Sequence, residues 1–267
     1  MLEYITLGAI QGVTEWLPVS SEGIIVLVST YFFPALSLGE AVRLALFLHL
    51  GTFLAALIYL RNDVRTLIVA CIWYSTATKD TRSELHFLMR TSFVTAIIAL
   101  PLLILINNSS SWLTVSITGI GTLIGTLLIV TGLLHRHTQQ QHIERTRASD
   151  ELTVRDACMT GIFQGFAVLP GLSRSGLTVA ALLIRTIRDS DSLRLSFLLS
   201  LPVVLGGNIL LNAYAFTTFG ANEAAALATA FIFGLLTMHG LMRVARHLSW
   251  STFTILAGVL LIIGALV

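Results

Sequence analysis

Charge is what this sequence has least of. Only 11% of its 267 residues are charged, where a water-soluble domain carries roughly 25%. With 55% hydrophobic residues and a mean hydropathy of +0.85, the chain cannot clothe a surface that faces water all round. It reads as an integral membrane protein, and disorder is excluded on the same ground. A net charge of +2 with no basic block leaves no footprint for nucleic acid. Cysteine is nearly absent. Cys71 and Cys158, both in apolar or helical surroundings, offer neither a disulfide framework nor a zinc spacing. Missing too are the alternating segments of about ten residues that mark an outer-membrane barrel. The apolar runs are about twenty residues long, so the spans are helices. No basic segment precedes the N-terminal apolar run, so no cleavable signal peptide is expected.

Six stretches are long and apolar enough to cross a bilayer core, near 41–60, 88–106, 112–134, 192–212, 221–242 and 249–267. Two others, near 2–33 and 151–187, are apolar but broken midway by Pro, Gly and Ser. Broken backbone at membrane depth survives only where protein buries it or a wet cavity lines it. Each is therefore read as a re-entrant pair: a half-helix in, a loop at depth, a half-helix out. The stretch 66–77 is too short to span and is expected to lie in the interface. Arg185, Arg188 and Arg194 border the second pair and are expected to snorkel to headgroups.

This layout sorts the basic residues. Loops 61–87, 135–151 and 243–248 fall on one side and hold Arg61, Arg65, Lys79, Arg82, Arg136, Arg145, Arg147, Arg243 and Arg246. Loops 34–40, 107–111 and 213–220, on the other, contain no Lys or Arg. The basic side is cytoplasmic by the positive-inside rule, which puts both termini outside. His86, His135, His137, His142 and His247 lie in or near those cytoplasmic loops and are expected in solvent. The sequon Asn108-Ser109-Ser110 in an outer loop is common by chance and carries little weight.

The two broken stretches match each other. GAIQGVTEWLPVSSEG runs from Gly8 to Gly23, and GIFQGFAVLPGLSRSG from Gly161 to Gly176. The likeness continues from VRLALFLHLG (42–51) to LRLSFLLSLP (193–202), with Arg43 opposite Arg194. Each half is one re-entrant pair plus three spans, and three is odd, so the second copy sits upside down. The expected fold is an all-α integral membrane protein, an inverted repeat with a site near the midplane. Its single membrane domain comprises repeat 1 at about 1–135, a cytoplasmic linker at 136–150 and repeat 2 at 151–267.

Ionisable groups inside membrane segments are functional by default. Glu15, Ser20, Ser21 and Glu22 flank the first break. Gln11 lies one helical turn before Glu15 on the same face, and the two oxygens together suit a hard cation. The plainer role for Glu15 is to cap the next half-helix or to pair with an arginine. At the second break Arg174 stands between Ser173 and Ser175, just before the half-helix that contains Thr178. A helix N-terminus with hydroxyls and a guanidinium is an oxyanion site that suits phosphate. Its plainer counterpart is an arginine tying down the loop through carbonyls. His49, inside a span, is more often a packing hydrogen-bonder than a catalyst, and His239 is a weaker candidate still.

At QGVTEWLPVSSEG (11–23) and QGFAVLPGLSRSGLT (164–178) the sequence resembles the undecaprenyl-diphosphate phosphatase family, membrane enzymes linked to bacitracin resistance. HLGTFLAALIYLR (49–61) and SFLLSLPVVLGG (196–207) add weaker support. The resemblance implies hydrolysis of a C55-type polyprenyl diphosphate to the monophosphate plus phosphate, which regenerates the lipid carrier for cell-envelope glycans. It also implies a divalent cation, Mg²⁺ or Ca²⁺, and a site that opens to the outer face of the plasma membrane. Carried over, the acidic motif falls on Gln11 and Glu15, the serines on Ser20 and Ser21, and the phosphate motif on Ser173, Arg174, Ser175 and Thr178. Two positions depart from the family pattern: Gln11 stands where Glu is frequent, and Ile24 replaces the His of an S-S-x-G-H motif.

On this reading Glu15, Ser21 and Arg174 are catalytic, and Ser20, Ser173, Ser175, Thr178 and His49 bind substrate. Gln11 and Glu15 hold the metal. Ser21 is the nucleophile by family analogy. The base is Glu15, His49 or a metal-activated water. The partners are the polyprenyl diphosphate and membrane lipids, and the sequence leaves a homodimer open. The rival reading is a polyprenyl-phosphate flippase with alternating access, which would use Arg174 but need no nucleophile. A non-catalytic scaffold leaves Glu15, Arg174 and the serines without purpose.

Overall fold

A computed structural model describes residues 1–17, 19–33, 38–108, 117–140, 147–169, 172–211 and 220–244. It also describes 251–252, 255–256, 258–259 and 262–263, all helical. Ten helices account for most of this: α1 (Leu2–Thr14), α2 (Ser21–Phe32), α3 (Leu38–Tyr59), α4 (Arg61–Ile72), α5 (Lys79–Asn108), α6 (Ile117–Gln140), α7 (Val154–Phe166), α8 (Arg174–Ile184), α9 (Asp189–Leu211) and α10 (Ala221–Val244). Short 3-10 turns sit at Tyr74–Thr76 and Ser149–Glu151. Among the described residues there is no strand, only an isolated bridge between Arg147 and Ile187. The fold is all-α.

Among the described residues four helices are long and apolar enough to cross a membrane: Glu40–Tyr59, Lys79–Leu105, Asp189–Leu210 and Ala221–Leu241. Their outward faces carry exposed apolar side chains such as Phe93, Ile104, Leu210 and Leu236, as a surface in contact with lipid requires. Both broken stretches are pairs of short helices, α1–α2 and α7–α8. Pro18, Pro170 and Gly171 of the breaks lie outside the described residues, as do Ser109 and Ser110 of the sequon, and His142 and His247.

Small residues bring the short helices close to the long ones. Gly8 and Gly12 of α1 lie on Ala226, Ala230 and Gly234 of α10, where a Cβ on Gly12 would stand 2.6 Å from the Gly234 nitrogen. The matching Gly161 and Gly165 of α7 lie on Thr91, Val94 and Ile98 of α5. Without a hydrophobic drive between helices in lipid, such close backbone approach supplies the packing energy. Gly125 and Gly132 of α6 meet Gly258 and Ser251 of the last helical segment in the same way. The buried apolar residues gather in two main groups. One is Leu7, Ile25, Leu48 and Ala230, and the other is Trp16, Ala56, Phe197 and Leu241.

The three arginines expected to snorkel are ion-paired instead. Asp156, fully buried at the start of α7, accepts from Arg185 Nε (2.6 Å) and from Arg147 Nη2 (2.8 Å). Thr153 completes a capping box on the same carboxylate. Arg188 pairs with Asp191, and Arg194 bridges Asp63 of α4 and Glu84 of α5. A buried carboxylate is held only if it is paired and hydrogen-bonded, and Asp156, Asp63 and Glu84 draw Arg185 and Arg194 inward from the headgroups, while the Arg188–Asp191 pair stays exposed. His86, expected in solvent, is half-buried and stacks on Tyr74, whose hydroxyl meets its Nε2 at 3.1 Å.

Candidate active site

Each break ends in the same capping device. Ser20 precedes α2 and accepts from the Gly23 N–H at 3.1 Å. Ser173 precedes α8 and accepts from the Gly176 N–H at 3.1 Å. Serine is favoured here because its hydroxyl satisfies one of the four N–H groups that a helix start leaves open. The two breaks are bound to each other as well. The Leu17 carbonyl accepts from Ser175 Oγ at 2.8 Å and from Ser173 Oγ at 3.4 Å. Trp16 fixes the turn after α1 by donating its Nε1–H to the Gly234 carbonyl and packing edge-on against Phe197.

Glu15, at the C-terminal end of α1 and only 5% exposed, is the hub. Its Oε1 accepts from Arg174 Nη2 at 2.5 Å. Its Oε2 faces Ser21 Oγ at 2.8 Å, Gln11 Nε2 at 2.9 Å and His49 Nε2 at 3.1 Å. His49 and Arg174 are themselves anchored. His49 Nδ1 lies 2.7 Å from the Ala45 carbonyl, and Arg174 Nη1 donates to the Ser196 carbonyl at 3.3 Å. Both plainer roles foreseen for these residues are therefore present: Glu15 pairs with an arginine, and Arg174 bonds a carbonyl. They are present inside a site.

That site is a cavity of about 50 Å³. Glu15, Ser20, Ser21, His49, Ser173, Arg174 and Ser175 all line it. Two candidates do not. Gln11 stands one turn behind Glu15. The Thr178 hydroxyl is turned onto the Arg174 and Ser175 carbonyls and onto Ser196 Oγ, where it braces the first turn of α8. His49 is drawn into the site by Glu15, a link that a lone histidine in a span does not announce. Sequence reasoning left two contributors without a role. Glu22 lines the cavity from α2, and its place directly after Ser21 was the available signal. Ser196 supplies both a carbonyl and a hydroxyl, and it is the residue matched with Ala45 in the two similar spans.

The arrangement combines an anion receptor with an activated hydroxyl. Two helix N-termini and a guanidinium converge on the cavity, and Ser21 lies within hydrogen-bond reach of a carboxylate. Among the described residues no group of three or more His, Cys, Asp or Glu side chains converges on a metal position. Protein ligands for a cation here would number two, Gln11 and Glu15.

Comparison with known proteins identifies the family. The chain is 39% identical to an undecaprenyl-diphosphatase from Methanococcoides burtonii over 97% of this chain and 96% of that one. It is 38% identical to one from Haloarcula marismortui (100% and 98%) and 36% to one from Methanothrix thermoacetophila (97% and 94%). The family model described as bacitracin resistance protein BacA matches residues 4–265. With nearly every residue inside that match, and with both breaks meeting at one cavity, the chain belongs to the bacitracin resistance protein BacA family.

Proposed function

We propose that this protein is an integral membrane hydrolase that converts undecaprenyl diphosphate to the monophosphate plus inorganic phosphate, returning the lipid carrier to cell-envelope glycan synthesis. One observation carries the mechanism: Ser21 and Arg174 meet opposite oxygens of the same buried carboxylate, Glu15. A flippase would bind the lipid phosphate at Arg174 but has no use for a hydroxyl hydrogen-bonded to a carboxylate. That contact, and the name shared by the relatives, favour hydrolysis.

The terminal phosphoryl group enters the cavity, and its oxygens take hydrogen bonds from Arg174, from the first-turn N–H groups of α2 and α8, and from Ser173 and Ser175 as their hydroxyls turn away from the Leu17 carbonyl. These donors meet the charge that spreads over the transferred group. Ser21 Oγ attacks the terminal phosphorus and passes its proton to Glu15 Oε2. The bond to the bridging oxygen breaks, and the lipid monophosphate leaves with that oxygen. Water then hydrolyses the Ser21 phosphoester, and Glu15 returns a proton to Ser21. His49, held through Nδ1 by Ala45, keeps the Glu15 carboxylate oriented. Ser20 shapes the turn that presents Ser21, and Thr178 supports the helix end behind Arg174.

A divalent cation fits this site through Gln11. Its Oε1 is buried without a hydrogen-bond partner, and Glu15 Oε1 has Arg174 as its only partner in the hydrogen-bond network described above. Gln11 and Glu15 would hold Mg²⁺ or Ca²⁺, the remaining ligands coming from phosphate oxygens and water. Bound there, the ion supplies Lewis-acid neutralisation of the diphosphate.

The finer architecture belongs to the same proposal. The halves 1–135 and 151–267, joined by 136–150, form an inverted repeat with two re-entrant pairs. Support comes from matched contacts: α1 packs on α10 as α7 packs on α5, through equivalent glycines. Ser20 and Ser173 cap equivalent helices. Ala45 and Ser196, equivalent in the two spans, each hold a side chain that contacts Glu15, His49 in one case and Arg174 in the other. The side rich in Arg and Lys is cytoplasmic, both termini face out, and the cavity opens outward to the leaflet where the diphosphate is released.

The deciding experiment is phosphate release from C55 or farnesyl diphosphate by the purified protein in detergent, with Mg²⁺ and with EDTA. Cation-dependent release that disappears in Arg174→Ala is the expected result. No release with any cation overturns hydrolysis and returns the flippase to first place.

A further inference from the structure

The segment between α3 and α5 is unlike the rest of the surface. Helix α4 has only Ala70 buried among its twelve residues. Its inner face carries Asp63, Val64 and Leu67. Asp63 is tied to Arg194 of α9, while Val64 and Leu67 pack on the apolar group around Trp16 and Leu241. The outer face is graded along its length. Arg61 and Arg65, both exposed, occupy its first turns. Ile68 and Ile72, 54% and 67% exposed, occupy its last turns, and Trp73 follows at 64%. At 100° per residue Arg61, Arg65, Ile68 and Ile72 fall on one stripe. The chain then returns to a basic end at Lys79 and Arg82.

The return is built rather than loose. Arg82 donates to the Ala77 and Ser75 carbonyls, and its guanidinium lies 5.1 Å from the centre of the Tyr74 ring. The acid of α4 is thus held inward, by Arg194, while its arginines and its large apolar side chains are turned outward. A surface built for water does not gather large apolar side chains in one such patch.

We propose that α4 and the turn after it form an oblique interfacial anchor that binds anionic phospholipid. Ile68, Ile72 and Trp73 enter the acyl layer, and Arg61 and Arg65 hold the headgroup phosphates above them. Charge complementarity selects the occupant. Arg61, Arg65 and Lys79 have no acidic partner among the described residues, so the stripe offers two cations beside an apolar patch and the start of α5 adds a third. Basic residues flanking an apolar helix face, with Trp and Tyr at the boundary, are what an anionic interface attracts. A second protein copy would need an acidic complement, and the stripe itself offers none.

Cys71, exposed on α4, gives the test a local probe. The full-length protein carrying Cys158→Ser is labelled at Cys71 with a small fluorophore and placed in nanodiscs of 30% phosphatidylglycerol and 70% phosphatidylcholine. Acyl-brominated lipid of one type or the other is supplied at equal mole fraction. Bromines on phosphatidylglycerol are expected to quench as if the ratio of phosphatidylglycerol to phosphatidylcholine beside α4 were about fivefold that of the bulk. In the Arg61→Gln/Arg65→Gln variant the two lipids should quench equally, with phosphate release unchanged. Equal quenching in the unsubstituted protein overturns the headgroup assignment. Quenching by aqueous iodide instead of brominated lipid overturns the anchor, since the helix then lies in water. Protection from both quenchers overturns it too and assigns the face to a protein partner.

Discussion

Glu15 and Arg174, 159 residues apart, share an ion pair in the wall of the cavity. Neither break has a complete site without the other. The first brings the carboxylate and the hydroxyl, the second the guanidinium and a helix start. Arg174→Ala is expected to abolish phosphate release by at least a hundredfold, because it removes transition-state donors. It also leaves a buried carboxylate short of its counter-charge, a loss of about 3–5 kcal/mol where such a pair is broken. Arg174→Lys restores the charge but not the two-armed geometry, and should recover stability more fully than rate. Thermal melting and initial rates, measured side by side, separate the two effects.

Ser21→Ala and Ser20→Ala should differ although the residues are neighbours. Loss of Ser21 removes the proposed nucleophile and should lower kcat by several orders of magnitude, with substrate still bound. Loss of Ser20 removes a helix cap and costs about 1 kcal/mol of stability, with a smaller effect on rate. Mass spectrometry of acid-quenched protein should find phosphate on Ser21 during turnover. Its absence, with an active Ser21→Ala protein, would mean direct attack by water.

His49 acts on Glu15 through a single nitrogen, and two substitutions test that link. His49→Leu should lower kcat by about tenfold to a hundredfold, the scale of a misplaced reacting group, with KM nearly unchanged. His49→Gln keeps an N–H at the position of Nε2 and should recover most of that loss. Equal defects in both variants would give His49 a packing role alone.

Away from the cavity, Asp156→Asn should lower the Tm without changing KM. Arg147 and Arg185 would lose the charge that holds them, a cost of about 3–5 kcal/mol for a buried group. Melting in detergent, followed by tryptophan fluorescence, checks it.

How much of this was legible in the sequence follows from what each feature depends on. Spans and breaks depend on local hydropathy and on Pro, Gly and Ser, so α3, α5, α9 and α10 lie close to where the apolar runs placed them. The seven polar residues around the cavity come from two motifs, with His49 added from a third helix. The inward pull on Arg185 and Arg194 was not legible, because their partners lie on other helices, Asp156 at a buried position that hydropathy reads only as an interruption; the exposed Arg188–Asp191 pair is local, three residues apart. Thr178 misled for a related reason. Motif membership does not say which way a hydroxyl turns, and Ser196, eighteen residues on, decides it.

The size of the cavity bears on which lipids the proposed chemistry admits. About 50 Å³ is room for about four waters, the scale of one phosphoryl group. A carrier still loaded with its glycan has an outer phosphorus substituted on both sides, and so no free phosphate end to present to Glu15 and Arg174. On the proposed mechanism, discrimination against loaded precursors follows from that lack, with no separate element to recognise the glycan.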